Sequence, residues 1–438
     1  MADATLFSAG SHFVSHAKNS KRKIILIKIQ SFVAYNYFLM HLVTYISKSL
    51  SKSVFTLKKI YNFICIKNKT PNIFDIRSNL ERSFLLKKEL IKIFQIAVVF
   101  IGTIVGAGLA SGKEITQFFT SFGVKSFIGI ILCGVFYVFM GTLISKISVN
   151  YKLDSYSDVM KIISPNIFGK LTGVITTLYL ISSASIILAG SGALINQFFG
   201  LPKIVGSSIM LCLASFFLLR GTDGLIEVNS FIVPSLICTM TLVTILYFIF
   251  CRDMVSIQNV MKFQPRKEGI FISTILYAGY NTLCSSGVLV PLSNKMQKSK
   301  TMIIGIFFGA LGLTVLCSMI NLLLTINQPY IYSYEIPLLF VSQRFGSIVE
   351  ALLLVIIWLE MFSTEVSDVY SISKTLEQTF KIKFNKGIFI VLAVALPISQ
   401  VGFTNLISTL YPAFGVLSLI FISQCIIFYV KHKNELTE

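Results

Sequence analysis

Four glycines and two charged residues share one otherwise apolar stretch, FIGTIVGAGLASGKE at residues 100–114. A glycine inside a helix costs about 1 kcal/mol relative to alanine, and a backbone group freed inside lipid costs more unless something satisfies it. The glycines therefore need a physical reason. Two are open: close packing of helices, or the binding of a solute or ion by exposed main chain. The four are Gly102, Gly106, Gly108 and Gly112.

The packing interpretation follows from spacing, because the four glycines form two GxxxG pairs that would let helices approach closely. The binding interpretation is a discontinuous helix, in which the backbone around 103–108 unwinds at mid-membrane and turns its amides and carbonyls toward a cavity. Glycine then lets a ligand reach the main chain, and a second half-helix starting near Leu109 adds a partial positive charge suited to a carboxylate. A dinucleotide site is excluded, because GxGxxG would need glycine where Ser111 stands.

Acidic residues inside apolar runs are the second chemical signal, because a charge within a membrane is costly. Glu360 falls in the middle of IVEALLLVIIWLEMFSTEVSDVY, and Glu114 lies in the outer half of the first apolar run beside Lys113. Either glutamate could be a proton-coupling carboxylate, and Glu114 could instead pair with Lys113 or with an outer gate. Glu365 and Asp368 fall nearer the cytoplasmic end of their run, where we expect them to be solvated.

The elements that carry these residues are membrane helices. The chain of 438 residues is 54% hydrophobic and 13% charged, with a mean hydropathy of +0.78, a balance that no water-soluble domain of this length could present to solvent. Apolar runs of about 20 residues, long enough to cross a hydrocarbon core, recur along the chain, without the dyad alternation of a barrel. We predict ten spans, the first interrupted and the sixth a candidate for interruption: 93–121, 124–147, 167–199, 201–219, 225–251, 269–292, 301–326, 346–372, 387–403 and 406–430.

Polar segments and basic residues set the predicted orientation. The polar segments 150–166 and 327–345 occupy matching places in the two groups of five spans, and both are expected at the membrane surface. With a cytoplasmic N-terminus, the inner loops from residue 93 onward hold 14 Lys and Arg and the outer loops seven, as the positive-inside rule expects. The loop 252–267, with four basic residues outside, is discordant. We therefore expect a multi-pass protein of the cytoplasmic (inner) cell membrane with both termini in the cytoplasm.

The chain before the first span differs in character from the rest. Residues 1–92 hold 16 Lys and Arg against four acids, out of a net charge of +19, which suits a flank attracted to anionic lipid. We predict a basic extension over 1–91, cytoplasmic or interfacial, a membrane domain over 92–431 and a short tail over 432–438. The apolar segment 24–46 is expected to lie on the surface or to be poorly ordered, with one extra span as the alternative. Nucleic-acid binding is disfavoured, because no reader module is evident.

Metal and catalytic signatures are weak throughout the chain. The eight cysteines form no CxxC pair, so we expect reduced packing residues rather than disulfides. The HxxxH pair of His12 and His16 has no further ligand nearby, and no metal site is predicted. No P-loop, HExxH or GxSxG motif occurs in a context that would support catalysis, so we do not expect the protein to be an enzyme. We expect no cofactor other than Na⁺ or H⁺ as a coupling ion.

The glycine stretch also resembles a known family. GTIVGAG at 102–108 is similar to the first-helix break of the amino acid–polyamine–organocation (APC) superfamily, with the pattern G-x-x-[IV]-G-x-G, and its register resembles the leucine-transporter (LeuT) fold. The longer run GTIVGAGLASGKEITQFF looks most like the YkvI-type bacterial membrane proteins, and the resemblance covers residues 93–430. It implies an all-α fold of five plus five helices related by an inverted pseudo-twofold, with the first and sixth spans broken at the substrate site.

The resemblance also implies a substrate site in the first span. The amides of Ala107 and Gly108 would hold a substrate carboxylate, with Thr103 and Gly106 in the same unwound segment. In the sixth span, FISTILYAGYNTLCSSGVLVPLS, the break would fall at Gly279. Ordinary packing of an aromatic helix with one tolerated glycine is the alternative. The aromatic cover over the substrate would be Tyr277 or Tyr280, and Asn281 would be a polar contact.

An ion site is implied beside it. The carbonyls of Gly102 and Val105 would face the eighth helix, where Ser363 and Thr364 match the hydroxyl pair of sodium-coupled relatives. Oxygen ligands of this kind suit a hard monovalent cation. The alternative is that both hydroxyls bond back to the preceding turn. Glu360 and Glu114 complete the candidate ion-coupling residues.

The function expected from these features is secondary active transport of a small solute, an amino acid or related zwitterion, by alternating access with proton or sodium coupling. One alternative is a ligand-sensing receptor subunit of the same fold, as in spore-germinant receptors, which would bind without net transport. Another is a structural membrane subunit whose glycine pairs are packing grooves. The expected partners are a small-molecule substrate and the lipid bilayer, with no nucleic acid.

Overall fold

The described part of the chain is helical and contains no strand. The structure, a computed structural model, describes residues 73–153, 156–163, 167–220, 225–255, 257–261 and 263–434. The apolar segment 24–46 lies outside these residues. The chain divides into two units at residues 91 and 92, and the unit that starts at Lys92 is described by itself below.

Each of the ten predicted spans is occupied by a helix, or in the first span by a series of helices. By length and composition, seven helices in the described residues could cross a membrane, and two shorter apolar helices accompany them. The helices are α1 (Ile73–Ile104), α2 (Ala107–Ala110), α3 (Lys113–Phe118), α4 (Lys125–Asn150), α5 (Tyr156–Ile163), α6 (Ile167–Phe199), α7 (Lys203–Arg220), α8 (Leu225–Phe250), α9 (Ile257–Met261), α10 (Ile270–Met296), α11 (Ser299–Ile326), α12 (Pro337–Gln343), α13 (Ser347–Phe380), α14 (Phe384–Ser399) and α15 (Phe403–Lys431).

The first span is interrupted, as predicted. The amide of Val105 donates to the carbonyl of Ile101 over 2.8 Å, after which Gly106 is extended, with φ −126° and ψ −167°. A second interruption separates α2 from α3 at Gly112, whose φ of +80° lies in the left-handed region that favours glycine. The expected single half-helix from Leu109 is thus two short helices.

The predicted break in the sixth span is wrong. Helix α10 runs without interruption through Gly279, and this glycine serves packing instead. A Cβ added at Gly279 would lie 2.5 Å from Ser418 Oγ of α15, and one added at Gly415 of α15 would lie 2.7 Å from the Leu276 carbonyl oxygen of α10. Two glycines facing each other let these helices approach closely, so the interpretation as a packed aromatic helix holds here.

Glycines of α11 likewise allow this helix to pack closely against the first span. A Cβ added at Gly305 of α11 would lie 2.6 Å from Ile96 Cβ, and one added at Gly309 would lie 3.0 Å from the Ala97 carbonyl oxygen. Helix α10 packs mainly against α4 and α15, and α13 packs against α6, α14 and α8. The first span is therefore held by close helix contacts on the amino-terminal side of its break.

The two polar segments form short helices between spans. Helix α5 lies within 150–166, and the segment 327–345 contains a 3₁₀ turn at Tyr330–Ser333 followed by α12. The α12 segment contacts the first span directly, because the amide of Leu338 donates to the Ser111 carbonyl over 3.0 Å. The polar connection before the eighth span thus covers one side of the interrupted region.

We predict a graded cost of filling the α10–α15 contact. Gly415→Ala should lower the free energy of unfolding by about 1–3 kcal/mol, because the new methyl meets backbone atoms that cannot rotate away. Gly279→Ala should cost less, because the Ser418 hydroxyl can turn aside at the loss of its hydrogen bond to the Gly415 carbonyl. Thermal unfolding of the detergent-purified protein measures both.

The matched control is Gly287→Ala in the same helix. An added Cβ there meets nothing within 4 Å, so this variant should be as stable as the wild type, or more stable by up to about 1 kcal/mol from helix propensity. Equal stability of all three variants would contradict the close contact.

Candidate functional site

The interruption of the first span leaves main-chain groups unpaired inside the protein. The amides of Gly106, Ala107, Gly108 and Leu109 have no acceptor among the described residues, and the first bonds of α2 come from Ala110 and Ser111. All but Gly106, which is partly exposed, are buried. Unpaired amides in a membrane are costly, so this segment is the strongest candidate for a ligand-binding main chain.

A carboxyl group covers this segment. A methyl group added at Gly108 would overlap the side chain of Glu114, which means that Glu114 lies directly against the Gly108 backbone. The residue is 2% exposed. The hydroxyl of Tyr277 donates to Glu114 Oε2 over 3.2 Å, and the hydroxyls of Tyr280 and Tyr411 also lie against this carboxyl. The glycine that was predicted to cradle a substrate carboxylate therefore faces a carboxyl of the protein itself.

Three tyrosines contact the Glu114 carboxyl and three further rings pack against them, and we call this group the aromatic box: Phe118, Phe119, Tyr179, Tyr277, Tyr280 and Tyr411. Tyr280 and Tyr411 stack with ring centroids 4.6 Å apart. Tyr277 meets the Tyr280 ring edge to face at 5.4 Å and the Phe119 ring at 4.9 Å. The hydroxyl of Tyr280 is buried and has no partner with hydrogen-bond geometry among the described residues.

The sixth span supplies two of these rings but places its other candidates elsewhere. Tyr277 and Tyr280 face Glu114, whereas Gly279 faces α15. The side-chain amide of Asn281 donates to the carbonyl of Tyr277 in its own helix over 3.1 Å. Sequence reasoning missed Tyr411, Tyr179 and the two phenylalanines. The available signal was that a tyrosine inside an apolar span needs a partner for its hydroxyl.

The eighth span passes beside the break. Helix α13 packs against α2, and a Cβ added at Gly106 would lie 4.0 Å from the Thr364 methyl group. The Thr364 hydroxyl donates to the Glu360 carbonyl over 3.0 Å, which is the back-bonded arrangement of the alternative interpretation. Ser363 is buried. Glu360 is 2% exposed, and its Oε2 has no partner among the described residues.

The expectation that Glu365 and Asp368 are solvated is wrong. Glu365 is 0% and Asp368 5% exposed, and three of their four carboxyl oxygens have no partner in the described chain. The reason is that α13 continues to Phe380, past its predicted end at 372, so both acids lie deep within the helix. Asp368 interacts with the Ser183 side chain of α6.

Lys113 has a main-chain partner rather than a carboxylate. Its Nζ donates to the carbonyl of Tyr334 over 2.9 Å, on the segment that precedes α12. The ammonium group therefore points toward the connection between the seventh and eighth spans, where Glu335 also pairs with Lys203. This contact explains how a lysine can be buried beside the glycine stretch, and it leaves Glu114 without Lys113 as a partner.

The described residues contain no cluster of three or more His, Cys, Asp or Glu side chains that could hold a metal ion.

Comparison with known proteins identifies relatives along most of the chain. It is 33% identical over 329 residues to the uncharacterized membrane protein YkvI of Bacillus subtilis, and the matched region covers 75% of this chain and 93% of YkvI. No protein-family model matches the chain.

Solved structures share the fold at low identity. Mhp1, a nucleobase-cation-symport-1 family transporter solved in a closed conformation with bromovinylhydantoin bound, matches with a TM-score of 0.52 and 14% identity over 70% of each chain. MhsT in complex with L-phenylalanine matches with a TM-score of 0.53 and 13% identity over 76% of this chain and 85% of its own. The chain therefore has the all-α, LeuT-like fold of five plus five helices.

The contact between Gly108 and Glu114 makes a testable prediction. Gly108→Ala should displace the Glu114 side chain from the tyrosine hydroxyls and lower the free energy of unfolding by about 1–3 kcal/mol, because the added methyl overpacks a filled core. Thermal unfolding in detergent provides the measurement.

Gly106→Ala is the matched control in the same motif. Its added methyl would have its nearest neighbour at 4.0 Å, and its φ of −126° suits any residue. If the two variants unfold at the same temperature, Glu114 does not lie on Gly108.

Proposed function

The chain belongs to the YkvI family of bacterial membrane proteins, and from this premise we propose that it is a secondary active transporter of a small solute in the cytoplasmic membrane. The solute class is an amino acid or related zwitterion. Transport would proceed by alternating access, with H⁺ or Na⁺ as the coupling ion and with no covalent chemistry.

One observation carries the proposal: within the described residues, the amides of residues 106–109 have no acceptor, and they lie in the interrupted first span. Unsatisfied polar main-chain groups cost several kcal/mol, and they persist in a fold only where a ligand or water can form hydrogen bonds with them. A packing groove between helices would keep its helical hydrogen bonds. The purely structural alternative therefore loses its support at this segment.

The eighth span supports coupling to an ion. Glu360 carries a carboxyl oxygen that has no partner among the described residues, and the Thr364 methyl group would lie 4.0 Å from a Cβ added at Gly106 beside the break. Buried ionisable groups inside spans typically mark proton or ion pathways. The proteins of similar fold include a transporter, Mhp1, which supports transport. Their ligands, bromovinylhydantoin in Mhp1 and L-phenylalanine in MhsT, differ in chemistry, so the fold alone does not select a solute.

Flux in proteoliposomes tests the proposal. The purified chain should accumulate at least one of the radiolabelled L-amino acids, offered singly, under an imposed inward gradient of protons or of sodium. Protein-free liposomes are the control. Saturable binding of such a solute without flux under either gradient would contradict transport and favour the sensing receptor. If the protein shows no binding and no flux, both functions are contradicted.

We expect variants of the eighth span to lose ion-driven accumulation of the solute while they keep solute counterflow. If protons drive transport, Glu360→Gln should reduce accumulation about tenfold or more while leaving solute counterflow within about twofold, because exchange needs no net ion movement and coupling energies are usually of this size. If sodium drives it, Ser363→Ala should show this pattern instead.

Glu350→Gln provides a control for loss of a buried carboxyl. Glu350 lies at the start of α13, and its Oε1 accepts from Gln343 Nε2 over 3.0 Å. This variant should transport like the wild type. Unchanged accumulation in both Glu360→Gln and Ser363→Ala would contradict the assignment of the coupling site to α13.

A further inference from the structure

From the position of Glu114 we infer that this carboxyl binds the positively charged end of the solute, so that the protein recognises amines and does not require a carboxylate on them. The inference rests on the proposed transport function and deepens it, because it names the group of the solute that the site reads. It also replaces the predicted cradle at Ala107 and Gly108 with an anchor of opposite charge.

Steric and electrostatic effects both act against an anionic group at Gly108. Because Glu114 lies directly on the Gly108 backbone, a solute carboxylate brought to the Gly108 amide would stand beside the carboxylate of Glu114. Two like charges a few ångströms apart in a low-dielectric interior repel strongly. Helix α2 is also only one turn long, so its dipole offers little compensation. The site therefore disfavours the anionic end of a zwitterion.

The surroundings of the Glu114 carboxyl carry no compensating positive charge among the described residues. The side chains against Glu114 are the hydroxyls of Tyr277, Tyr280 and Tyr411, all neutral, and the described residues place no Lys, Arg or His in an ion pair with it. The nearest candidate, Lys113, donates to the Tyr334 carbonyl instead. A buried carboxylate without a counter-ion is costly, and a cationic solute would supply the missing charge.

Tyrosine side chains form the surroundings of the Glu114 carboxyl. The rings of Tyr277, Tyr280 and Tyr411 pack on one another with their hydroxyls against the carboxyl, so an ammonium group at Glu114 would meet hydroxyl oxygens that can accept its hydrogen bonds. Tyr280 is 2% exposed, and its hydroxyl, which lies against the Glu114 carboxyl, makes no hydrogen bond of good geometry within the described residues, so its oxygen can accept one ammonium N–H while Glu114 accepts another. A carboxylate and neighbouring hydroxyl acceptors together fit a small primary amine.

Matched sets of three compounds test the inference: an amino acid, the amine left when its carboxylate is removed, and its N-acetyl derivative, which has lost the charge on nitrogen. Leucine, isoamylamine and N-acetyl-leucine form one set, and phenylalanine, phenethylamine and N-acetyl-phenylalanine another. Binding to the full-length protein in nanodiscs is measured by thermal stabilisation, and flux by uptake into proteoliposomes. We expect the amines to bind as well as the amino acids, and the acetylated acids to bind neither measurably nor competitively.

Variants locate the recognised charge at Glu114. Glu114→Gln should weaken amine binding about 10- to 100-fold, since it removes a charge-assisted hydrogen bond, and Tyr280→Phe about 3- to 10-fold. Glu350→Gln, a buried glutamate away from the box, should bind like the wild type. Gel filtration checks that each variant is monodisperse, and Tyr280→Phe retains a test if Glu114→Gln does not fold.

The outcomes separate the inference from the function it rests on. Binding of the acetylated acids in preference to the amines, or flux of a solute without an amine, would overturn the inference while leaving transport intact. Wild-type amine affinity in a monodisperse Glu114→Gln variant would overturn it as well. If no compound binds or crosses under any gradient, the transport proposal fails and the inference fails with it.

Discussion

A peptide amide inside a membrane must have an acceptor, and the first span of this protein does not provide one at residues 106–109. The rest of the site follows from that constraint. Gly106 takes an extended conformation that ends α1, Gly112 takes a left-handed one that separates α2 from α3, and the chain between them is left to be satisfied by whatever lies in front of it. In this structure the neighbouring side chain is Glu114, itself wrapped by tyrosines.

Glycine serves two purposes in this fold. In the first span glycine opens the helical ladder, whereas Gly279 and Gly415 close the distance between two unbroken helices. The sixth span is an unbroken helix that presents Tyr277 and Tyr280 to the site. A solute would thus meet free main chain on one side and rigid aromatic rings on the other. This asymmetry distinguishes the chain from the arrangement of two broken helices that its resemblance implied.

Much of this fold was predictable, because a span needs a minimum apolar length and the chain marks ten such runs. The break in the first span was predictable as well, since four glycines within eleven residues have few other uses. Gly279 was not, because one glycine in an aromatic helix is equally suited to a break or to a contact, and only the position of Gly415 decides between them. The burial of Glu365 and Asp368 depended on where α13 ends, which local sequence marks poorly. The aromatic box joins residues about 300 positions apart, and no spacing rule reaches that far.

Hydrogen–deuterium exchange with residue-level fragmentation, on the protein in nanodiscs, distinguishes an interrupted first span from a continuous one. We expect the amides of residues 106–109 to exchange much faster than those of residues 276–283 in the unbroken sixth span, because only the first set lacks helical acceptors. Equal, strong protection of both segments would mean that the first span is a continuous helix and would contradict the account.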